Sequence, residues 1–280
     1  MERSFLDRLI AIDDSDDPRI AGFRNVRERD MRRHSGRFIA EGTVVLRVLS
    51  QVHGGATGLV AESILVLENR VAGIAGILEA FPPEVPIHVA PRPVIDVIAG
   101  FPVHRGVLAL GRRVAGPTAA GMIKALPDAA LVLVGSSIAN HDNVGALFRN
   151  AAVFGVDAAF FDAQSCDPLY RKAIRVSVGG VLRVPYLHGG SLDTIVPALT
   201  AEGFELWGLS PRGTVEIEAV APGRRVALVV GSEGEGLPQA LLASMRTARI
   251  AQAPGMDSLN VATAAGIALH RFARGMGRIG

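Results

Sequence analysis

Residues Val226–Pro238 read VALVVGSEGEGLP. Five consecutive apolar residues run into Gly231, and Pro238 opens the segment beyond. The order is strand, glycine loop, helix. An uninterrupted apolar run of this length predicts a strand buried on both faces, as in a parallel sheet covered by helices. The same grammar recurs upstream. Ala130–Gly135 is a second buried-strand run, followed by a helix over Val144–Phe154 that Gly155 closes, and by a strand at Ala158–Phe161. Further strands are predicted at Val184–Leu187, Phe204–Leu209 and Ala248–Ala251, with helices near Leu192–Glu202, Pro238–Met245 and Leu259–Arg274. Strands alternating with helices make residues 129–280 an α/β unit with a mostly parallel sheet and helices on both faces.

Residues 1–115 read as a separate, small α/β unit. Helices are predicted at Thr43–His53, Val71–Ala80 and Val94–Ala99, and strands at Ser63–Leu67, Ile87–Ala90 and Gly106–Leu110. Residues 116–128 lie in a Gly-, Pro- and Ala-rich stretch and read as a linker. Between Arg24 and Arg37 stand six arginines and one histidine against Glu28 and Asp30. This reads as a basic helix and arm, either a solvated face or an RNA-facing surface carried by Arg24, Arg27, Arg32, Arg33 and Arg37.

The 280 residues are 49% hydrophobic and 20% charged, a core-forming composition with a net charge of only +2. The single Cys166 excludes an internal disulfide framework and a multi-cysteine zinc site. The opening MERSFLDRLIAIDDSDD carries acids where a secretory signal needs an apolar run, and no long apolar stretch appears. A cytoplasmic location without membrane association is expected.

Three segments carry chemistry. In NHDNVGALFRNA (Asn140–Ala151), Asp142 or Asn143 can cap a helix whose apolar stripe is Val144, Leu147, Phe148 and Ala151. Gly145 and Ala152 clear space beside Arg149, which suits a phosphate ligand; the alternative is a solvated helix arginine. Beside His141 no second histidine or carboxylate is spaced for a metal. In the glycine loop the order is GxxGxG, and Glu233 and Glu235 would repel a pyrophosphate, so a dinucleotide fingerprint does not fit. A neutral or cationic ligand packed on bare backbone does. In IAQAPGMDSLNVATAAGIALHRFAR (Ile250–Arg274), Ser258 is a natural N-cap. Asn260 opens a thin helix whose small residues allow close packing, including across a dimer.

Together, NVGALFRNA, VVGSEGEGL and SLNVATAAGIAL resemble the three motifs of the SpoU (TrmH-like) RNA ribose methyltransferases, in order, over Leu131–Ala273. RKAIRVSVGG (Arg171–Gly180) resembles the segment between the first two motifs. RHSGRFIAEG and HRGVLALGR resemble, more weakly, the accessory RNA-binding domain that precedes many members. The resemblance implies S-adenosylmethionine as methyl donor, no metal, a deep C-terminal trefoil knot, and a homodimer whose two chains complete each RNA site. It places Arg149, Asn143, Glu233, Ser258 and Asn260 among the catalytic positions. Gly231, Ile250 and Leu259 match positions that line the donor pocket. Two departures stand out: Ile250 is followed by Ala251 where proline is usual, and the intermediate segment ends Gly179-Gly180 where Gly-Ala is usual.

The expected reaction is an in-line displacement at a sulfonium carbon by a ribose 2′-hydroxyl, with ribosomal RNA ahead of transfer RNA as substrate. An arginine with a pKa above ~12 is a poor base, so Arg149 is expected to bind phosphate and stabilise the alkoxide. Two rivals compete. A catalytically silent RNA-binding member of the fold would have lost Arg149 or Asn260, and both are present. A nucleotide-binding oxidoreductase needs a GxGxxG turn, which is absent.

Overall fold

The structure is a computed structural model and describes residues 5–24, 36–100, 105–114, 116, 118–255 and 258–280. The chain divides into two compact units. Unit 1 comprises Met1–Gly116 and Leu169–Leu182; unit 2 comprises Pro117–Pro168 and Arg183–Gly280. Unit 1 is thus discontinuous in sequence. The helix Arg171–Val176 packs on its sheet, and Gly179 lies against Val48.

Among the described residues of unit 1, β1 (Leu9–Ala11), β2 (Arg37–Glu41), β3 (Leu59–Leu67), β4 (Ile87–Ala90) and β5 (Val107–Arg113) form a sheet ordered β1-β4-β3-β5-β2. β4 runs parallel to β1 and β3, and β5 runs antiparallel to β3 and β2. Helices α1 (Thr43–Val52), α2 (Ala75–Glu79) and α3 (Arg92–Ala99) complete the α/β layers. One sheet face buries Ile39, Leu65, Leu67, Ala90, Leu108 and Leu110 against α3 and the 3-10 turn Pro18–Phe23.

Only the ends of the Arg-rich segment, Arg24 and Gly36–Arg37, are described; the helix expected between them lies outside the described residues. Arg37 begins β2, because Phe38–Glu41 are all buried between β5 and the unit's core. Arg27, Arg32 and Arg33 lie outside the described residues. Arg24 donates twice to the Ser15 carbonyl and pairs with Asp16. Arg37 is paired with Glu62.

His88 on β4 is 3% exposed, and its Nδ1 has no hydrogen-bond partner among the described residues. Burial, and then the nearby Arg19, hold its imidazole below the ordinary 6.5. The unfolded chain therefore takes up a proton over a pH range in which folded unit 1 does not. The stability this gives is present above about pH 6.5 and is lost as pH falls through the lower folded value. Hydrogen exchange at β3 and β4 should report weaker protection at about pH 5.5 than at about pH 7.5, once corrected for intrinsic rates. His88→Gln should flatten that difference; an undiminished pH response in the variant would assign it elsewhere.

In unit 2, β6 (Ala130–Gly135), β7 (Ala158–Phe161), β8 (Tyr186–His188), β9 (Glu205–Leu209), β10 (Val215–Glu216), β11 (Arg225–Val230) and β12 (Arg246–Arg249) form one sheet. Its order among the described residues is β10-β12-β9-β11-β6-β7-β8, every pair parallel. The faces are covered by α4 (Ala119–Lys124), α5 (His141–Val153), α6 (Leu192–Ala201), α7 (Gln239–Leu242) and α8 (Val261–Gly275). α4 falls inside the stretch read as a linker; Thr118 caps it, and Ile123 is fully buried in the core. Gly135 ends β6 directly opposite Phe161, whose ring a Cβ at Gly135 would meet at 2.5 Å. That ring stacks on Phe148 of α5 at 5.2 Å, which seats α5 against the sheet.

α8 packs on α5 and β11. Its small face does not wait for a partner chain. Ala262, Ala265, Ala268, Leu269 and Phe272 are buried within unit 2, and Gly266 lies against the Asn150 amide, which donates to the Ala262 carbonyl at 2.7 Å. The thin helix is what lets α5 approach this closely.

Candidate active site

In parallel sheets, ligands bind beyond the carboxyl ends of the strands. Here β6 and β11 are neighbours, so the loops that follow them adjoin. After β11 the chain turns through Ser232–Gly236, where the Gly236 amide returns to the Ser232 carbonyl at 3.1 Å. A Cβ on Gly231 would stand 2.3 Å from the Gly236 carbonyl carbon and 2.5 Å from the Leu237 nitrogen. Only glycine fits this backbone crossing.

After β6 the loop Ser136–Asn140 is held by Asp162. This carboxylate is 3% exposed and accepts from the Ser137 amide, the Ser136 hydroxyl, and the amide and hydroxyl of Ser165. Ser137 is held at φ 53°, a left-handed conformation unusual for serine. The loop ends on Asn140, whose Oδ1 accepts from the Asp142 amide at 2.8 Å. Asn140 is therefore the cap of α5, not Asp142 or Asn143, and Asn143 is left free to turn inward.

Asn260 joins the segments. Its Oδ1 accepts from the Ala262 and Thr263 amides at 3.0 and 3.2 Å, so it caps α8, the role expected of Ser258. Its Nδ2 donates to Asn143 Oδ1 at 2.9 Å and to Glu233 Oε1 at 2.8 Å. One amide thus ties the α5 segment, the glycine loop and the start of α8.

Two cavities open here. The first, about 350 Å³, is lined by Gly231, Ile250 and Leu259, the three donor-pocket residues expected from sequence, and by Glu233, Ser258 and Asn260. The second, about 400 Å³, lies against Ser137–His141 and Asn143. Ser232, Glu233 and Val261 line both, so the cavities share a wall. Arg149 lines neither. Six residues along a helix of 3.6 per turn carry it well round α5 from the buried Asn143, and its side chain is exposed. Among the described residues no group of three or more His, Cys, Asp or Glu side chains could hold a metal ion, and no helix is long and apolar enough to cross a membrane.

Residues 130–270 match the model of the SpoU rRNA Methylase family. An uncharacterized tRNA/rRNA methyltransferase of Mycobacterium bovis is 36% identical over 278 residues, covering 95% of this chain and 92% of that protein. The chain belongs to the SpoU family. A 23S rRNA (guanosine-2′-O-)-methyltransferase RlmB of Xanthomonas campestris is a more distant relative, 28% identical over 64% of this chain and 74% of that protein. The fold is that of an rRNA methyltransferase from Sinorhizobium meliloti, solved with AdoMet bound (TM-score 0.78, 21% identity, 95% and 98% of the two chains). An RNA 2′-O ribose methyltransferase superposes with a TM-score of 0.76 at 24% identity, over 96% and 100% of the chains.

For this SpoU member, sequence reading missed Leu209–Pro211 and Gln252 in the first cavity and Ser137–Ala139 in the second. Leu209 ends β9 and Ser210–Pro211 follow it, and only the strand order, which sets β9 beside β11, shows that the end of β9 belongs at the site.

Proposed function

We propose that the chain transfers a methyl group from S-adenosylmethionine to a ribose 2′-hydroxyl of structured RNA, ribosomal RNA in preference to transfer RNA, as a cytoplasmic homodimer. The observation that carries this reading is the pair of adjoining cavities with Glu233 in their common wall. A transfer between two bound reactants needs such a partition, since holding both in line supplies much of the rate.

The first cavity suits the donor. Its floor is bare backbone at Gly231, against which an adenosine can pack, and Glu233 offers a negative charge to a cationic ligand. The sulfonium supplies an already activated methyl group. Ile250 and Leu259 would hold the adenosine, and the second cavity would receive the acceptor nucleotide. Asn143, Ser258 and Asn260 would orient that nucleotide. Glu233, which accepts from the Asn260 amide, would keep that amide turned toward Asn143.

Arg149 is the charge that would stabilise the forming alkoxide and the adjacent phosphate. Because it lines neither cavity of its own chain, it is assigned to the site of a second copy. Its exposure supports this, as does that of the apolar Val153, one helical turn on from it along α5 and 63% exposed. Unit 1 would select the RNA.

Mapping ribose 2′-O-methyl groups in RNA from a strain lacking the gene tests the proposal. One ribose should lose its methyl group, and the purified protein with S-adenosylmethionine should restore it in vitro. An unchanged methylation map, or restoration on a base, would overturn the ribose assignment.

A further inference from the structure

Unit 1 holds a cavity of about 580 Å³ that none of the chemistry above uses. It lies at the polar end of the sheet face whose other end is the unit's core. Arg37, Arg112 and His88 continue the positions of Ile39, Leu110 and Ala90 along β2, β5 and β4. The β3 ladder breaks here. Ala61 pairs with Gly111 and Ser63 with Leu110, so Glu62 is an extra residue bulged out of the register. Bulges of this kind re-aim side chains beside functional sites. Glu62 is aimed between Arg37 and Arg112, which face each other directly across β2 and β5, and accepts from their Nε atoms at 2.6 and 2.8 Å.

Two buried polar groups complete the wall. Ser63 is 8% exposed and turns a hydroxyl-bearing side chain to the lining. His88 lines it with an imidazole that is 3% exposed, and its buried Nδ1 has no hydrogen-bond partner among the described residues. A neutral imidazole offers one donor and one acceptor. A buried polar side chain favours a neighbour that can pair with it.

We propose that this cavity binds a single base of an RNA strand, splayed out of its stack, and gives unit 1 a base-reading site. Charge balance argues against a phosphate. Arg19 is matched by Asp17, Arg37 and Arg112 share Glu62, and Glu84 adds a further negative charge to the lining. A base brings what the wall can pair: neutral donors and acceptors on its edge for Ser63, His88 and Glu62, and an apolar plane for Leu110. The volume is within the range of small-ligand pockets, ~300–1,000 Å³. Extruded bases are the form in which proteins read RNA sequence.

The proposal rests on RNA being the substrate, and its test needs no methyl transfer. The full-length protein, labelled at histidine nitrogen, is titrated with each of the four ribonucleoside 5′-monophosphates and with ribose 5-phosphate. At least one nucleotide should shift the His88 ring signals, and ribose 5-phosphate should not. Val60→Phe, at the position paired with Arg112 on the cavity face, and Ser63→Val, which removes the hydroxyl, should each weaken that binding by about tenfold or more. Donor-analogue affinity, read on the same samples, should stay unchanged. If no nucleotide shifts His88, or ribose 5-phosphate shifts it equally, the base site is overturned. So is it if both folded variants bind like wild type. A protein that passes this test yet methylates no ribose overturns the proposed function alone.

Discussion

Arg149→Ala should lower single-turnover methyl transfer at saturating RNA by about 10²–10³-fold. S-adenosylhomocysteine affinity should stay within about twofold, because the first cavity is lined by the end of β9, the glycine loop and the segment leading into α8, and Arg149 lines no part of it. Arg149→Lys should recover only part of the loss, since it keeps the charge but not the planar fork that binds phosphate in two-point fashion. The exposed position of Arg149 adds a second expectation. Arg149→Ala chains and Gly231→Ala chains, each inactive alone, should recover activity when mixed and allowed to exchange. In a two-fold dimer each mixed pair holds one intact site, and random pairing gives about a quarter of the wild-type rate. Full activity of Arg149→Ala would reduce the residue to a solvated arginine. Loss without complementation would place it in its own chain's site.

Gly231→Ala should weaken S-adenosylhomocysteine binding by about 100-fold, the scale at which displacement by an ångström disrupts a positioned ligand. The added methyl would sit 2.3–2.5 Å from backbone atoms of Gly236 and Leu237, distances that real Cβ atoms do not show. No side chain can turn away to relieve it. The loop must open, taking the Ser232–Gly236 bridge and the shared wall at Glu233 with it. Gly234→Ala makes the useful comparison. Its φ is +101°, which strains an alanine, but a Cβ there meets nothing within 4 Å. Calorimetry should find the Gly234 variant much nearer to wild type. Equal affinities for all three proteins would remove the glycine loop from the donor site.

The fold of unit 2 was legible because a parallel sheet buried on both faces writes apolar runs without interruption. Every residue of Ala130–Gly135 is buried, as are Val226–Val230. Edge elements carry no such pattern. β10 has two residues and β1 three, and β2 hides in an arginine-rich stretch because Arg37 faces a polar cavity. The candidate site was half legible. Gly231, Ile250, Leu259, Glu233, Ser258 and Asn260, singled out from their motifs, line one cavity. The caps were misassigned because Asn140, Asp142, Asn143, Ser258 and Asn260 are all competent capping residues, and hydrogen-bond geometry alone selects among them. The distance of Arg149 from the cluster follows from helix periodicity, but only once the helix start is fixed. The polar cavity of unit 1 was invisible in sequence. Arg19, Arg37, Glu62, His88 and Arg112 are scattered along the chain and converge through strand order alone.

The position of β6 has a consequence for how the molecule comes into being. The first strand of unit 2 lies in the middle of its sheet, and its partner β11 is made only after β7, β8 and β9. Parallel pairing across such a span pays its loop-closure entropy long before contacts repay it, so folding is slow. During synthesis β6 leaves the ribosome with one edge unsatisfied and must wait for β11, and then for α8, before either cavity has walls. A nascent chain stalled before Val261 lacks the residue of α8 that lines both cavities, and its exposed, strongly apolar central strand makes it prone to aggregate.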